Sequence, residues 1–338
     1  MAQAGTQEWL DQVIEPILDP EREIIDPHHH LWRRPGFDYQ LPELWADTAT
    51  GHNVVKTVFV ECRAQYRETG PEHYRCLGET EYVAGIAAAS ATAPESGSSG
   101  HPVISAIVAH ADLTDDEHLD EVLHGHETAA NGLFRGIRHA GARDPHPEAL
   151  LIPGRAPEGL YGRSDFRRGL ARLGERGYTF DTWHYHHQNA AFAELARAVP
   201  DTIMVLDHFG TPLGVGPYAG RRQEIFQQWR KDIREIAACP NVVAKLGGLA
   251  MPDNGFGWNT RETPATSDEL VAAQQDYYLE AVDAFGPERC MFESNFPVDR
   301  WSLSYHVYWN AMKKIAVRFD PAEQEALFSG TASRIYRI

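Results

Sequence analysis

Short apolar segments alternate with longer helix-like segments along almost the whole chain, and this alternation limits the available folds. Eight segments are apolar and lack polar alternation, which is typical of strands covered on both faces: residues 24–27, 54–61, 103–110, 133–138, 178–182, 202–207, 242–246 and 289–292. Helix-like segments lie at residues 79–89, 115–130, 164–176, 189–199, 222–238, 267–285 and 302–317. Eight alternations predict an α/β fold, a single (β/α)8 TIM barrel over residues 23–338, preceded by an N-terminal extension of residues 1–22.

The end of the first predicted strand argues against the main alternative, an open doubly wound sheet. Such sheets usually carry a glycine-rich phosphate-binding turn after the first strand, whereas residues 28–30 here are three histidines. The longest connections, residues 141–161, 210–220 and 248–266, follow predicted strands. In a barrel they wall the site on the C-terminal face. The low-complexity segment 91–100 predicts a flexible surface loop.

Composition narrows the possible partners. The 338-residue chain has a formal net charge of −17, which argues against nucleic acid or an anionic membrane as partner. No apolar run approaches the roughly 18 residues needed to span a bilayer, and the first residues lack a signal-peptide pattern. The four cysteines are scattered and form no C-x-x-C pair, as expected for reduced thiols in a cytoplasmic protein.

Polar side chains stand at the C-terminal end of every predicted strand. Residues i and i+2 of a strand point the same way, so His28 and His30 can direct two imidazoles at one point. Core packing does not explain such a distribution, which therefore predicts one convergent site at the barrel mouth. In strand order the residues are His28 and His30; Glu61 and Arg63; His110 and Asp112; Arg138 and His139; His184, His186 and His187; Asp207 and His208; Lys245; and Glu293, Asn295 and Asp299.

Six motifs resemble the amidohydrolase superfamily, specifically the amidohydrolase-2 branch that includes lactonases of sugar and aromatic-acid degradation. They are IDPHHHLW, FRGIRH, FDTWHYHHQ, VLDHFG, NVVAKLGGL and FESNFPVD, and the similarity extends from residue 24 to residue 336. The resemblance implies a distorted (β/α)8 barrel that carries out hydrolysis at its C-terminal mouth.

The resemblance also assigns roles to individual residues. His28 and His30 match the first-strand pair, and His208 matches the sixth-strand histidine. His186 best matches the fifth-strand histidine, although His184 and His187 remain alternatives. Arg138 matches an arginine that grips a substrate carboxylate or carbonyl oxygen.

Asn295 departs from the family pattern, because the matching position carries an aspartate that binds metal or activates water. An amide cannot accept a proton near neutral pH, so water activation falls to another group. The nearby carboxylates are Asp299, Glu293 and Glu61. Glu61 is the preferred substitute, since a charge that ends a buried strand needs a reason to be there. The alternative for Glu61 is a salt bridge to Arg63, Arg138 or Lys245.

The resemblance leaves the cofactor open. Members of the branch use a divalent metal, usually Zn or Mn, or dispense with metal. His28, His30 and His208 could supply three nitrogens to zinc and leave one position for water. Without metal, the histidines at 28, 30, 186 and 208 would donate hydrogen bonds to the scissile carbonyl.

Positive charge at the mouth of an acidic protein favours an anionic small-molecule substrate. Arg138 and Lys245 would hold its charge, and Trp183 and Asp299 are further candidates for substrate contacts. The alternative for Asp299 is a loop cap or a pairing with Arg300. The predicted function is a hydrolase that opens a lactone or related ester. The alternatives are a metal-dependent decarboxylase of an aromatic acid and a non-catalytic binding homologue. A homo-oligomer is a family expectation.

Overall fold

Eight parallel strands lie side by side in the order in which they occur in the chain. The computed structural model describes residues 3–92 and 101–338, so most of the predicted loop 91–100 lies outside the described residues. The strands are β1 (Glu23–His29), β2 (Asn53–Val60), β3 (Val103–Ala109), β4 (Phe134–Arg138), β5 (Thr179–Thr182), β6 (Met204–Leu206), β7 (Val242–Leu246) and β8 (Cys290–Phe292).

The sheet closes through the segment that follows β8. The backbone N–H of His30 donates to the Phe296 carbonyl at 2.8 Å, and the N–H of Asn295 donates to the His28 carbonyl at 3.1 Å. These two bonds join the ends of β1 and β8, which confirms the predicted TIM barrel. They also bring two polar strand ends together that are far apart in the chain.

Helices cover the outside of the barrel, and α2 to α8 each lie between two consecutive strands. They are α1 (Gln7–Leu10), α2 (Leu41–Thr48), α3 (Leu77–Thr92), α4 (Leu119–Ala129), α5 (Ser164–Glu175), α6 (Asn189–Ala198), α7 (Arg222–Ala237), α8 (Ser267–Phe285), α9 (Tyr305–Ala316), α10 (Pro321–Glu325) and α11 (Thr331–Tyr336). Within residues 3–92 and 101–338, none is both long enough and apolar enough to cross a membrane.

The predicted start of the helix after β3 is wrong. Asp115 was expected to begin the helix after β3, but α4 begins at Leu119. Asp115 Oδ1 instead accepts from the backbone N–H groups of Glu117 and His118, so the carboxylate stabilises a turn before the helix. The predicted start of α8 is correct, and Thr266 caps it with Glu269 in a capping box.

The barrel interior has an apolar layer below and a charged layer above. Val205, Val243 and Met291 belong to the apolar layer, which α11 closes with Tyr336. Two residues further along the same strands, on the same face, stand the charged residues of the upper layer. Asp207, Lys245 and Glu293 therefore point into the barrel, as do Arg138 and Asp181, and this polar layer forms the floor of the site.

Candidate active site

A cavity of about 540 Å³ opens at the C-terminal ends of the strands. Its lining is rich in bases: the arginines at 34, 63, 138 and 155 and the histidines at 30, 110, 139 and 208. Glu61 is the single carboxylate-bearing residue among the described residues that line it. The predicted site residues Asn295 and Trp183 also line it. The long connection after β4 supplies residues 151–157 as one wall.

Arg138 is held on its inner side by acceptors of the protein. Its Nε donates to Glu61 Oε1 at 2.9 Å, and Nη1 lies 3.3 Å from His28 Nε2 and 3.4 Å from Asp207 Oδ2. Nη2 donates to the Glu61 carbonyl. The salt bridge to Arg138 is thus the role that the structure shows for Glu61. Burial raises the pKa of Glu61, but the Arg138 guanidinium outweighs this and leaves the pKa lowered, which makes Glu61 a poor proton acceptor at neutral pH.

Lys245 is completely buried beneath the cavity. Its Nζ lies 2.9 Å from Asp181 Oδ2 and 3.3 Å from Asp207 Oδ1. Burial lowers the pKa of Lys245, but these carboxylates outweigh it and leave the pKa raised. The lysine therefore neutralises the polar floor, and the structure does not place it where a substrate in the cavity would touch it.

Glu293 connects two of the predicted imidazoles. Its Oε1 accepts from the Nδ1 of His208 at 2.7 Å and from the backbone N–H of the same residue at 3.2 Å. Its Oε2 lies 2.7 Å from His28 Nδ1. All three side chains are at most slightly exposed. Because a carboxylate only accepts, His208 carries its hydrogen on Nδ1 and keeps its Nε2 for the cavity that it lines.

His30 is fixed in the same tautomer by the backbone. Its Nδ1 lies 2.8 Å from the Val60 carbonyl, which can only accept, so Nδ1 is the protonated nitrogen. Burial, with the Arg138 guanidinium second, lowers the pKa of His30 well below its ordinary value. The neutral ring thus offers an Nε2 lone pair to the cavity, and it accepts rather than donates hydrogen bonds there.

Asn295 and Asp299 form a second buried pair beside the cavity. The Asn295 Nδ2 donates to Asp299 Oδ1 at 2.8 Å, and the Ala250 N–H donates to Asp299 Oδ2 at 3.2 Å. Burial raises the pKa of Asp299 to about 7. Asn295 lines the cavity, whereas Asp299 is fully buried behind it and does not. Asp299 therefore orients Asn295. This placement does not favour the predicted contact between Asp299 and the substrate.

The structure does not bring His186 to the other imidazoles. It begins a short 3-10 helix after β5, and its Nδ1 accepts from the Leu213 N–H at 3.3 Å. Its ring packs against Tyr218 instead of the cavity. The neighbouring alternatives are also engaged elsewhere, since His184 bonds Asn189 and His187 bonds Asp144. Local sequence could not resolve this because the chain turns away directly after β5.

A family model for amidohydrolases matches residues 25–338. The chain belongs to the amidohydrolase family. It is 32% identical over 337 residues to an uncharacterized protein, y4mH, of Sinorhizobium fredii, covering 93% of this chain and 98% of that one. It is 27% identical to an L-fucono-1,5-lactonase of Burkholderia multivorans, covering 93% and 96% of the two chains. A crystal structure of an amidohydrolase from Burkholderia multivorans with bound zinc has a TM-score of 0.70 at 25% identity, covering 94% and 100%.

Three side chains of this amidohydrolase have the donor chemistry of a metal site. His28, Asp207 and His208 each offer a ligand atom, and these atoms lie within 4.8 Å of one another. However, Arg138 Nη1 contacts both His28 Nε2 and Asp207 Oδ2, and Lys245 faces Asp207 Oδ1. The guanidinium therefore lies against two of the three donors, His28 and Asp207. A divalent ion does not fit the arrangement, because it would displace one buried cation and lie against another.

A buried carboxylate that was not predicted from the sequence, that of Glu79, holds the backbone on both sides of Arg63. Glu79, near the start of α3, accepts on Oε1 from the N–H groups of Cys62 at 3.0 Å and Ala64 at 2.7 Å. Between them, Arg63 has a φ of 62°, a left-handed conformation that is uncommon for a non-glycine residue. Burial, with the Glu61 carboxylate second, raises the pKa of Glu79 to about 8.

This pKa predicts a pH-dependent stability. Because the pKa of Glu79 rises from an ordinary 4.5 to about 8, the folded state keeps a proton that the unfolded chain releases between these values, and stability falls as pH rises through that range. Glu79→Gln keeps the acceptor and removes the charge. We expect a gain on the order of 3–5 kcal/mol at pH 9 and little change at pH 5, measured by thermal and urea unfolding. The exposed Glu158→Gln is the control, and equal gains at both pH values would contradict the prediction.

Proposed function

We propose that this amidohydrolase opens a lactone, a cyclic carboxylic ester, by adding water at the cavity floor. The observation that carries the proposal is the hydrogen bond between Glu293 and His208, which directs an imidazole Nε2 into the cavity. This carboxylate–imidazole pair supplies the proton acceptor that Asn295 lacks. The similarity to an L-fucono-1,5-lactonase over most of both chains supports the same reaction class.

The proposed reaction consumes one water molecule and transfers its proton, through His208, to the leaving oxygen. His208 Nε2 takes a proton from the water as its oxygen bonds to the carbonyl carbon, and Glu293 stabilises the resulting imidazolium. The ring C–O bond then breaks, and the leaving oxygen takes the proton from His208. The product is an open-chain hydroxy acid. Asn295 and His30 line the same floor and are placed to orient the water.

Arg138 is placed to stabilise the negative charge that develops on the carbonyl oxygen. A guanidinium has five N–H groups, and the four contacts described above use one on Nε, one on Nη2 and those of Nη1. The second N–H of Nη2 has no acceptor among the described residues. Arg138 therefore contributes a preorganised donor, while its charge is already balanced by Glu61 and Asp207.

The test is turnover of a panel of five- and six-membered lactones, followed by acid release with a pH indicator. We expect His208→Ala to lower kcat/KM by about 10³-fold. His186→Ala is the matched control, because that ring lies outside the cavity, and it should stay within about threefold of wild type. Carbon dioxide release from an aromatic acid would favour decarboxylation, and binding without turnover of any lactone would refute hydrolysis.

We further expect activity without a divalent metal. Because Arg138 already occupies the donor set, dialysis against a chelator should leave kcat unchanged, and mass spectrometry should find less than about 0.2 zinc or manganese per chain. Arg138→Met vacates the position, so added zinc should then raise the melting temperature of the variant but not of wild type. Stoichiometric metal in wild type, or chelator inactivation that zinc reverses, would overturn this expectation.

A further inference from the structure

Three arginines around the cavity, Arg34, Arg63 and Arg155, have no part in the chemistry described above. All three line the cavity and are exposed to solvent. No hydrogen bond or ion pair of their guanidinium groups is found among the described residues. They differ in this from Arg138, whose charge is balanced by Glu61 and Asp207. We call these three residues the rim arginines.

The backbone around each rim arginine is fixed. The N–H groups on either side of Arg63 both bind Glu79, which is 2% exposed, and hold its left-handed φ. Such conformations cost on the order of 1–3 kcal/mol unless the surroundings enforce them, and here a buried carboxylate does so. The strain is retained at the residue that presents a cation to the cavity.

Arg34 is held from the side by an aromatic surface that continues into the site. Its guanidinium carbon lies 4.0 Å from the centre of the Trp32 ring, a cation–π distance. The Trp32 ring stacks in turn on His30 at 6.0 Å. Arg34, Trp32 and His30 therefore form a continuous row along the lining of the same cavity.

Arg155 is held on the opposite wall by the long connection after β4. The N–H of Gly154 donates to the Tyr185 hydroxyl at 2.7 Å, and the N–H of Ala156 donates to the Ala142 carbonyl at 3.1 Å. Prolines at 153 and 157 stiffen the same segment. These bonds fix the backbone on both sides of Arg155.

The distribution of charge in the cavity indicates that the rim arginines bind a negatively charged ligand. The inner cations Arg138 and Lys245 are already paired with carboxylates, and the chain as a whole is strongly acidic, with a formal net charge of −17. Among the described residues that line the cavity, the rim arginines are therefore the cationic side chains without an ion-pair partner. A negatively charged ligand would bind at these three residues. Guanidinium groups match the planar, two-oxygen geometry of carboxylates and phosphates.

We propose that the rim arginines bind an anionic group, a carboxylate or a phosphate, that the substrate carries at the end remote from the lactone carbonyl. This rests on the proposed function, which places the carbonyl at His208 and Arg138. It moves the anion-binding role, predicted from sequence for Arg138 and Lys245, to residues in the loops after β1, β2 and β4.

The test compares lactones that differ only in the remote group: a neutral amide, a carboxylate or a phosphate ester. We expect wild type to prefer one anionic form by at least about tenfold in kcat/KM, mainly through KM, with a preference that shrinks as salt increases. Arg63→Gln and Arg155→Gln should each lose most of this preference. Arg221→Gln, an exposed arginine paired with Glu224 outside the cavity, is the matched control.

Two results would overturn the proposal while the proposed function stands: equal turnover of all three lactones by wild type, or an undiminished anion preference in both rim variants. Calorimetry tests the rim if no lactone is hydrolysed. Inorganic phosphate and glutarate are the probes, and we expect the better one to bind at least about tenfold more weakly to Arg63→Gln and Arg155→Gln. Equal binding to wild type and variants, or no binding to wild type, would refute the anion site independently of catalysis.

Discussion

Replacing Glu293 with glutamine is expected to lower kcat by 10²–10³-fold while KM changes by less than about threefold. The glutamine oxygen still accepts the hydrogen of His208 Nδ1, so the substrate cavity keeps its shape. What is lost is the negative charge that stabilises the imidazolium when His208 holds the proton of water. A loss in kcat with an unchanged KM is the signature of an interaction made in the transition state.

The controls separate this effect from a general cost of removing a hydrogen-bonded carboxylate. Glu15→Gln changes a carboxylate that binds Ser267 and Asn310 away from the cavity, and its kcat should match wild type. Glu293→Asp keeps the charge and should recover part of the lost rate. A Glu293→Gln variant with kcat within threefold of wild type would rule out the carboxylate–imidazole pair as the water-activating group.

Replacing Lys245 with methionine is expected to have the largest effect on stability. The change leaves Asp181 without its cationic partner and Asp207 with Arg138 alone, both at zero exposure. Breaking a buried ion pair by removing one partner costs about 3–5 kcal/mol, a large fraction of the net stability of a domain. We expect the melting temperature to fall on the order of 10 °C, or the variant to be recovered only as aggregate.

A second substitution makes this prediction specific. Asp181→Asn removes one of the uncompensated charges, so the double variant with Lys245→Met should be more stable than the sum of the two single changes allows. Melting curves of the four proteins give the coupling energy. A Lys245→Met protein that melts like wild type but has a raised KM would instead support the substrate-binding role that the sequence predicted.

Parts of the site could be read from the sequence because they depend on local rules. The alternation of side chains along a strand places His28 and His30 on one side, and the polar residues that follow apolar strands identify the end of the barrel that carries the site. The amide at position 295 could be recognised from the motif around it. Each of these inferences needs only a few consecutive residues.

The partners of Glu61 and Glu293 could not be read in the same way. Glu61 could equally have been a base or a salt-bridge partner, and the choice depends on Arg138, which stands 77 positions away. Glu293 was noted as a nearby carboxylate, yet its two contacts reach His28 and His208 on other strands. The sequence did carry one indication: Glu293 lies two residues after Met291, so the two side chains point to the same side of the strand, into the barrel.

By itself the sequence determined the barrel and the end of the barrel that carries the polar residues, because apolar strands that end in polar residues and capped helices are encoded by neighbouring residues. The motif around position 295 likewise showed an amide where the resemblance implies a carboxylate. Only the tertiary structure decided that Lys245 is a buried counter-ion, that His186 turns away, and that Arg34, Arg63 and Arg155 surround the opening. Those outcomes depend on distances across a closed barrel, which decide which buried charges come within about 4 Å of an opposite charge and which exposed ones do not.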